Sequence, residues 1–168
     1  MSNKATKKDP ISVAAIASIL EAHAMWLKDD HTGERADFSE QNLRGVDLSD
    51  SNWDYAIFRK ANMQGADLSC SSFRRADFSE AILSGAWFDY SNLHKSTFIK
   101  AKLTGASLYT SYADGANFRG ANMRGVCLFD AKLKGADLRD IYIDKNEIEH
   151  ADTEQAKFNE TLFTPTGN

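Results

Sequence analysis

The sequence is poor in the residues that usually staple or punctuate a fold: only two cysteines and two prolines occur among 168 residues. Two cysteines cannot make a disulfide framework, which excludes a small disulfide scaffold and points to a reducing, cytoplasmic setting. The four histidines, His23, His31, His94 and His150, lie far apart, with no paired ligands and no nucleophile at catalytic spacing. No enzymatic activity, cofactor or metal is therefore expected. The most apolar stretch, around Ile11 to Leu20, is too short and too alanine-rich to span a bilayer, so no membrane partner is expected. A formal charge of −4 is too small to imply general affinity for polyanions, and direct nucleic-acid binding is not expected.

What the chain has instead is a period of five. A small residue, a polar residue and a large apolar residue recur without a slip from Ala36 to Pro165. The large ones are Phe38, Leu43, Leu48, Trp53, Phe58, Met63 and so on through Ile143, Ile148, Thr153, Phe158 and Phe163. Five matches neither a helix nor a continuous strand, so each unit is expected to be a short strand followed by a bend, with two inward residues in five. A second period of twenty is superimposed. Phe38, Phe58, Phe78, Phe98, Phe118, Leu138 and Phe158 form one column, predicted to be a core stack, and Gly45, Gly65, Gly85, Gly105 and Gly125 form another. Twenty residues are four units, so each coil has four sides; the 130 residues from 36 to 165 give about 6.5 coils. The glycine column suggests a corner that needs positive φ.

The segments ANMQGADLSCSSFRRADFSEAILSG and GANFRGANMRGVCLFDAKLKGADL resemble the pentapeptide-repeat family, across about four fifths of the chain. The resemblance implies an all-β solenoid, a right-handed quadrilateral β-helix. The family includes DNA-gyrase protection proteins of the fluoroquinolone-resistance type, which present an acidic, DNA-like rod, and many members have no assigned function. It also implies a possible homodimer through an end of the solenoid.

The ends set the domain plan: residues 1–35 as polar tail, capping helix and connection, 36–165 as the β-helix, and 166–168 as a C-terminal tail. Asp9 and Pro10 read as N-cap and first helical residue of an α-helix over Ile11 to Lys28, whose face Ile16, Ile19, Leu20, His23, Ala24 and Leu27 would cover the open first coil. Lys7 and Lys8 before the apolar run, with Ala22-His23-Ala24 behind it, outline a signal peptide; Glu21 and the continuation through Met25, Trp26 and Leu27 favour the cap. At the far end Leu162 and Phe163 could close the last coil or meet a second molecule.

Charge varies along the rod. Residues 36–55 carry five acids and one base, 56–135 eleven bases and six acids, and 136–165 eight acids and three bases. The acidic rows a DNA mimic needs are broken: Asp47 and Asp67 are followed in their column by Trp87, and Asp37, Asp77 and Asp137 are interrupted by Ile57, Thr97 and Asn117. Asp54, Arg74, His94, Asp114, Lys134 and Glu154 share another column, expected to be a solvated charge ladder. The more distinctive outward feature is aromatic. Trp87, Tyr90, Tyr109, Tyr112 and Phe129 take outward or corner positions on the third side or its junction with the fourth. They are the candidate anchors for an unidentified protein partner. Protein–protein recognition is the leading reading, with modulation of gyrase or another topoisomerase as the alternative.

Overall fold

The computed structural model describes residues 10–159. Its backbone is built on parallel bridges, all between residues twenty apart. Asp37 with Ile57, Asn42 with Asn62, Asp47 with Asp67 and Asn52 with Ser72 open four columns that run up the chain. We number the sides one to four in that order, and each corner after the side it follows. A strand contributing a single bridge per coil is far too short to stand alone, so every unit depends on the coils above and below it.

The unit Ala76 to Glu80 shows why five residues suffice. Ala76 N–H donates to Phe73 O within the corner turn, Asp77 N–H to Ala56 O one coil below, and Phe78 and Glu80 N–H to Thr97 O and Ile99 O one coil above. The fifth donor, Ser79 N–H, is accepted at 2.9 Å by the side chain of Asp77. No backbone donor of the unit is left over, which is the condition for a buried or half-buried main chain. The residue ending each unit adopts positive φ. This holds at every corner from Glu40 to Asp140, and not at the glycine column alone, with Lys60, Tyr90 and Thr110 at +57°, +59° and +52° beside Gly85 at +65°; Lys145 and His150 depart from it.

The inward positions form one core. Phe38, Phe58, Phe78, Phe98 and Phe118 stack nearly parallel with centroids 4.8–5.1 Å apart. That is the interstrand repeat, so the backbone ladder sets the spacing of the rings. Phe73 and Phe88 meet this stack edge-on at 5.4–6.0 Å, and the alternating alanines, fully buried, leave the room. Leu138 completes the column, but Phe158 is 42% exposed and does not belong to the buried stack. It lies on the last described coil, with no described coil above it to cover the ring.

Helix α1 spans Val13–Lys28, two residues shorter than the sequence suggests, and Ser12 is its N-cap through a hydrogen bond from Ala15 N–H. Pro10 precedes the helix, and Asp9 lies outside the described residues. α1 packs on the first coil through Ile16, Ile19, Leu20 and His23, whereas Ala24 is exposed. The fully buried His23 stacks on Trp26 and Trp53, and its Nδ1 accepts Ala36 N–H at 3.1 Å. Its Nε2 has no partner of hydrogen-bond geometry. Burial lowers the His23 pKa, outweighing the upward pull of the Asp54 backbone and carboxylate, and Arg35 adds to the lowering. Gly33 lets the connection turn under the helix: at φ +70°, an added Cβ would stand 2.1 Å from Ala22 O.

Near the other end the period of five persists while the backbone changes. Residues Lys145–Ile148 form a short helix, α2, where the third side would place its next bridge, with Glu147 accepting Asp144 N–H and Gly125 N–H. Ile148 is still buried, and the twenty-residue register resumes with Lys132 to Asp152 and Asp137 to Lys157. Leu162, Phe163, Pro165 and the tail 166–168 lie outside the described residues. No helix among those described is long and apolar enough to cross a membrane.

Phe98→Ala deletes a fully buried ring from mid-stack and should cost about 3 to 5 kcal/mol, read as a shift in the denaturant midpoint. Thr110→Gly should instead stabilise by about 1 kcal/mol, because a β-branched residue at positive φ is strained and its N–H bond to Phe129 O is kept. In the converse change, Gly85→Ala should lose a similar amount through the backbone alone, since its Cβ would meet nothing within 4 Å. His23, with a folded pKa below its unfolded 6.5, contributes stability present above that value and lost as pH falls through the folded pKa. Denaturation between about pH 7 and pH 5 should show a slope of at most about 1.4 kcal/mol per pH unit, which His23→Gln flattens.

Candidate functional site

At the corner after side three, four rings form a continuous ladder. Tyr90 meets Tyr109 edge-on at 5.5 Å, Tyr109 stacks on Phe129 at 5.9 Å and 15°, and Phe129 meets His150 at 5.6 Å. The twenty-residue register places these residues on successive coils. Asp130 N–H donates to His150 O, carrying the ladder one coil beyond Phe129. Asp89 fixes the next rung: its carboxylate accepts from the Ser107 hydroxyl and, at 3.2 Å, from Tyr109 N–H. Spanning three coil steps, the ladder is about 14 Å long.

Tyr90 and Phe129 are 55% and 48% exposed, whereas Tyr109 is only half-exposed because its ring lies between them. Loss of hydration raises the Tyr90 phenol pKa, and Tyr109 reinforces the shift, so the Tyr90 phenol stays a neutral hydrogen-bonding group near neutral pH. The structure therefore brings together three of the five aromatic residues expected from sequence. Trp87 and Tyr112, each 52% exposed, flank the ladder on sides three and four and make no ring contact with it. His150 is the member that sequence reasoning missed, although its place twenty residues beyond Asp130 and sixty beyond Tyr90 was legible.

The outward carboxylates and amides have a different job. Oδ1 of Asp37, Asp47, Asn52, Asp67, Asp77, Asn92 and Asn117 each accepts the N–H two residues on, at 2.8–3.1 Å. Bonds from the Ser49 hydroxyl and N–H depress the Asp47 pKa. For Asp77, burial alone would raise the pKa, but bonds from Ser79 and Arg59 bring it below the ordinary value. Asp54 likewise accepts the Ser72 hydroxyl and Arg74 N–H. In its column, Lys134 pairs with Glu154 at 2.7 Å, while His94 and Asp114 form no ion pair. Among the described residues, Asp29, Asp30 and His31 are the one metal-capable group; they are fully exposed on the turn after α1, where Asp29 already accepts His31 N–H. Cys70 and Cys127 are free and exposed.

A sequence model described as pentapeptide repeats matches the chain in eight copies, over residues 34–69, 56–93, 76–112 and 101–140. The chain belongs to the pentapeptide-repeat family. No curated protein matches it in sequence. Among solved structures it is similar to HetL, a pentapeptide repeat protein involved in heterocyst differentiation regulation in the cyanobacterium Nostoc sp. Identity is 23% over 87% of this chain and 70% of that one, with a TM-score of 0.60, which supports the solenoid fold. QnrB1, a plasmid-mediated fluoroquinolone resistance protein, is 19% identical over 79% of this chain and 71% of that one, at a TM-score of 0.46. A pentapeptide repeat protein of the Arabidopsis thaliana thylakoid lumen is 32% identical over 58% of this chain and 71% of that one, at 0.36.

Proposed function

We propose that the chain is a non-enzymatic, cytoplasmic interaction module that holds a protein partner along the aromatic ladder of Tyr90, Tyr109 and Phe129. The contiguity of the rings carries this reading. The corner turn needs no aromatic there, as Ser49 and Ser69 show one below the other in the same column, and exposed apolar surface is a cost that binding can offset. Trp87 and Tyr112 widen the surface on either side. The scaffold behind it is taken as a right-handed, four-sided coil of about 6.5 turns over residues 36–165, closed at its start by the helix within residues 1–35. End-to-end pairing of two copies through the last coil, where Phe158 is exposed, is part of the same proposal.

The gyrase alternative asks the outward carboxylates to imitate a phosphate row. Asp37, Asp47, Asp67 and Asp77 instead cap the main chain, and their rows are broken by Ile57, Trp87 and Thr97. A supercoiling assay with purified gyrase, with and without a fluoroquinolone, separates the two readings: no inhibition or protection is expected.

Replacing Tyr109 and Phe129 together by serine should leave the thermal midpoint close to the parent's while weakening partner capture or self-association roughly thirtyfold, the loss of about 2 kcal/mol typical of a hot spot. Unchanged partners and oligomeric state in the folded double variant would rule out the ladder as the recognition surface.

A further inference from the structure

Across the rod from side three lies a face of opposite character. Side one of the second to fifth coils is bounded by corner four on one edge and corner one on the other. Its outward residues are Ile57, Asp77, Thr97 and Asn117. The charged residues of corner four are Asp54, Arg74, Arg75, Lys95 and Asp114, and corner one contributes Arg59, Lys60, Glu80, Ile99, Lys100 and Arg119. Seven bases against four acids leave +3 on this face. On the same coils, side three and its corners carry Asp67, Asp89 and Asp130 against Arg124 alone, or −2.

The cations are also placed unusually. Among the described residues, every basic residue at positive φ, namely Lys60, Arg75, Lys95 and Lys100, stands on the two edges of side one. Glycine would be the less strained occupant, and the corner after side two has it five coils running. None of the four is in an ion pair among the described residues, and all are exposed. Arg75 lies over the Tyr55 ring, 5.7 Å from its centroid. Of the other bases, Arg59 pairs with Asp77 and Arg119 with Asp140. Beside Lys100 a cavity opens, lined by Ile99, Lys100, Arg119, Gly120 and Asp140, with room for one apolar side chain next to the charges.

We infer that side one is a second docking face, which takes a short acidic peptide segment of a partner, extended along the rod between the two basic edges. The length of the face selects the occupant. In the first coil the same face carries Glu34, Asp37 and Glu40 against Arg35, and in the sixth Asp137 and Asp140 are balanced by Lys134 and Arg139. The basic stretch thus covers three coil steps, about 14 Å, which four extended residues span. A longer polyanion such as a nucleic-acid strand would run onto net negative charge at the first coil and past the last excess base at the sixth, whereas a peptide with four to six acids ends where the excess of bases ends. This face is independent of the aromatic ladder.

The test is fluorescence anisotropy of a labelled hexaglutamate peptide with the full chain, at low and at raised salt. Binding that weakens with salt is expected. Lys95→Gln with Lys100→Gln should weaken it about tenfold, an effect of two close charge pairs, with the thermal midpoint showing that the variant is folded. Arg124→Gln with Lys132→Gln, the same change in net charge on other faces, should leave it within about twofold, as should the Tyr109→Ser, Phe129→Ser variant. No binding of hexaglutamate, equal loss in the Arg124, Lys132 control, or equal or tighter binding of hexathymidylate would each overturn the inference.

Discussion

Everything in this molecule hangs on the parallel main-chain ladder between residues twenty apart. A coil cannot exist alone: its inward side chains would face water and the donors of each side would lack acceptors. Stacked, each unit sends its N–H groups both up and down the rod, and the rings of the phenylalanine column are carried to 4.8 Å spacing by that ladder. At the first coil His23 of α1 gives Ala36 N–H an acceptor, in place of the corner-turn carbonyl that Phe73 supplies to Ala76.

The ladder also divides the surface. Outward Asp and Asn residues look like display groups in the sequence, yet most of those named above bind the N–H two residues ahead and belong to the backbone's own economy of donors. Where the column holds Ile57, Trp87, Thr97 or Lys102, the N–H two residues on donates to no acceptor among the described residues, and the side chain caps nothing. The exposed aromatic ladder and the basic face occupy positions of this second kind or corners where the fold would accept glycine or serine. They stand on different faces of one rod, so the two proposed docking surfaces do not overlap.

Much of the fold was legible because its rule is repetitive. The period of five gave the inward residues and the period of twenty gave the register, both from residue type alone. Phe158 escaped the rule because burial depends on a neighbouring coil, which identity at one position does not report. The start of α1 at Val13, capped by Ser12, was masked by Asp9 and Pro10, an equally good capping pair a few residues upstream. α2 was hidden because Ile148 keeps the apolar period while Asp144 and Glu147 form a capping box that turns the side helical. At the surface, the column positions of the aromatic residues were readable, but contact was not: Tyr109 joins Tyr90 and Phe129, Trp87 and Tyr112 stay apart, and His150 enters through ring geometry. The capping role of Asp77 and its equivalents needed side-chain positions, since a carboxylate two residues before an amide is equally compatible with one facing solvent.

Amide hydrogen exchange on the native full chain tests the central division most directly. The account predicts slow exchange at Phe78, Glu80 and Phe98, whose acceptors lie on the next coil, and measurable protection at Ser69 and Ser79, capped by Asp67 and Asp77. It predicts fast exchange at Arg59, Asp89, Ile99 and Thr104, whose N–H groups donate to no acceptor among the described residues. Equal protection of those four amides and of Ser69 and Ser79 would contradict the claim that outward Asp and Asn serve the backbone while the remaining outward positions are free for recognition.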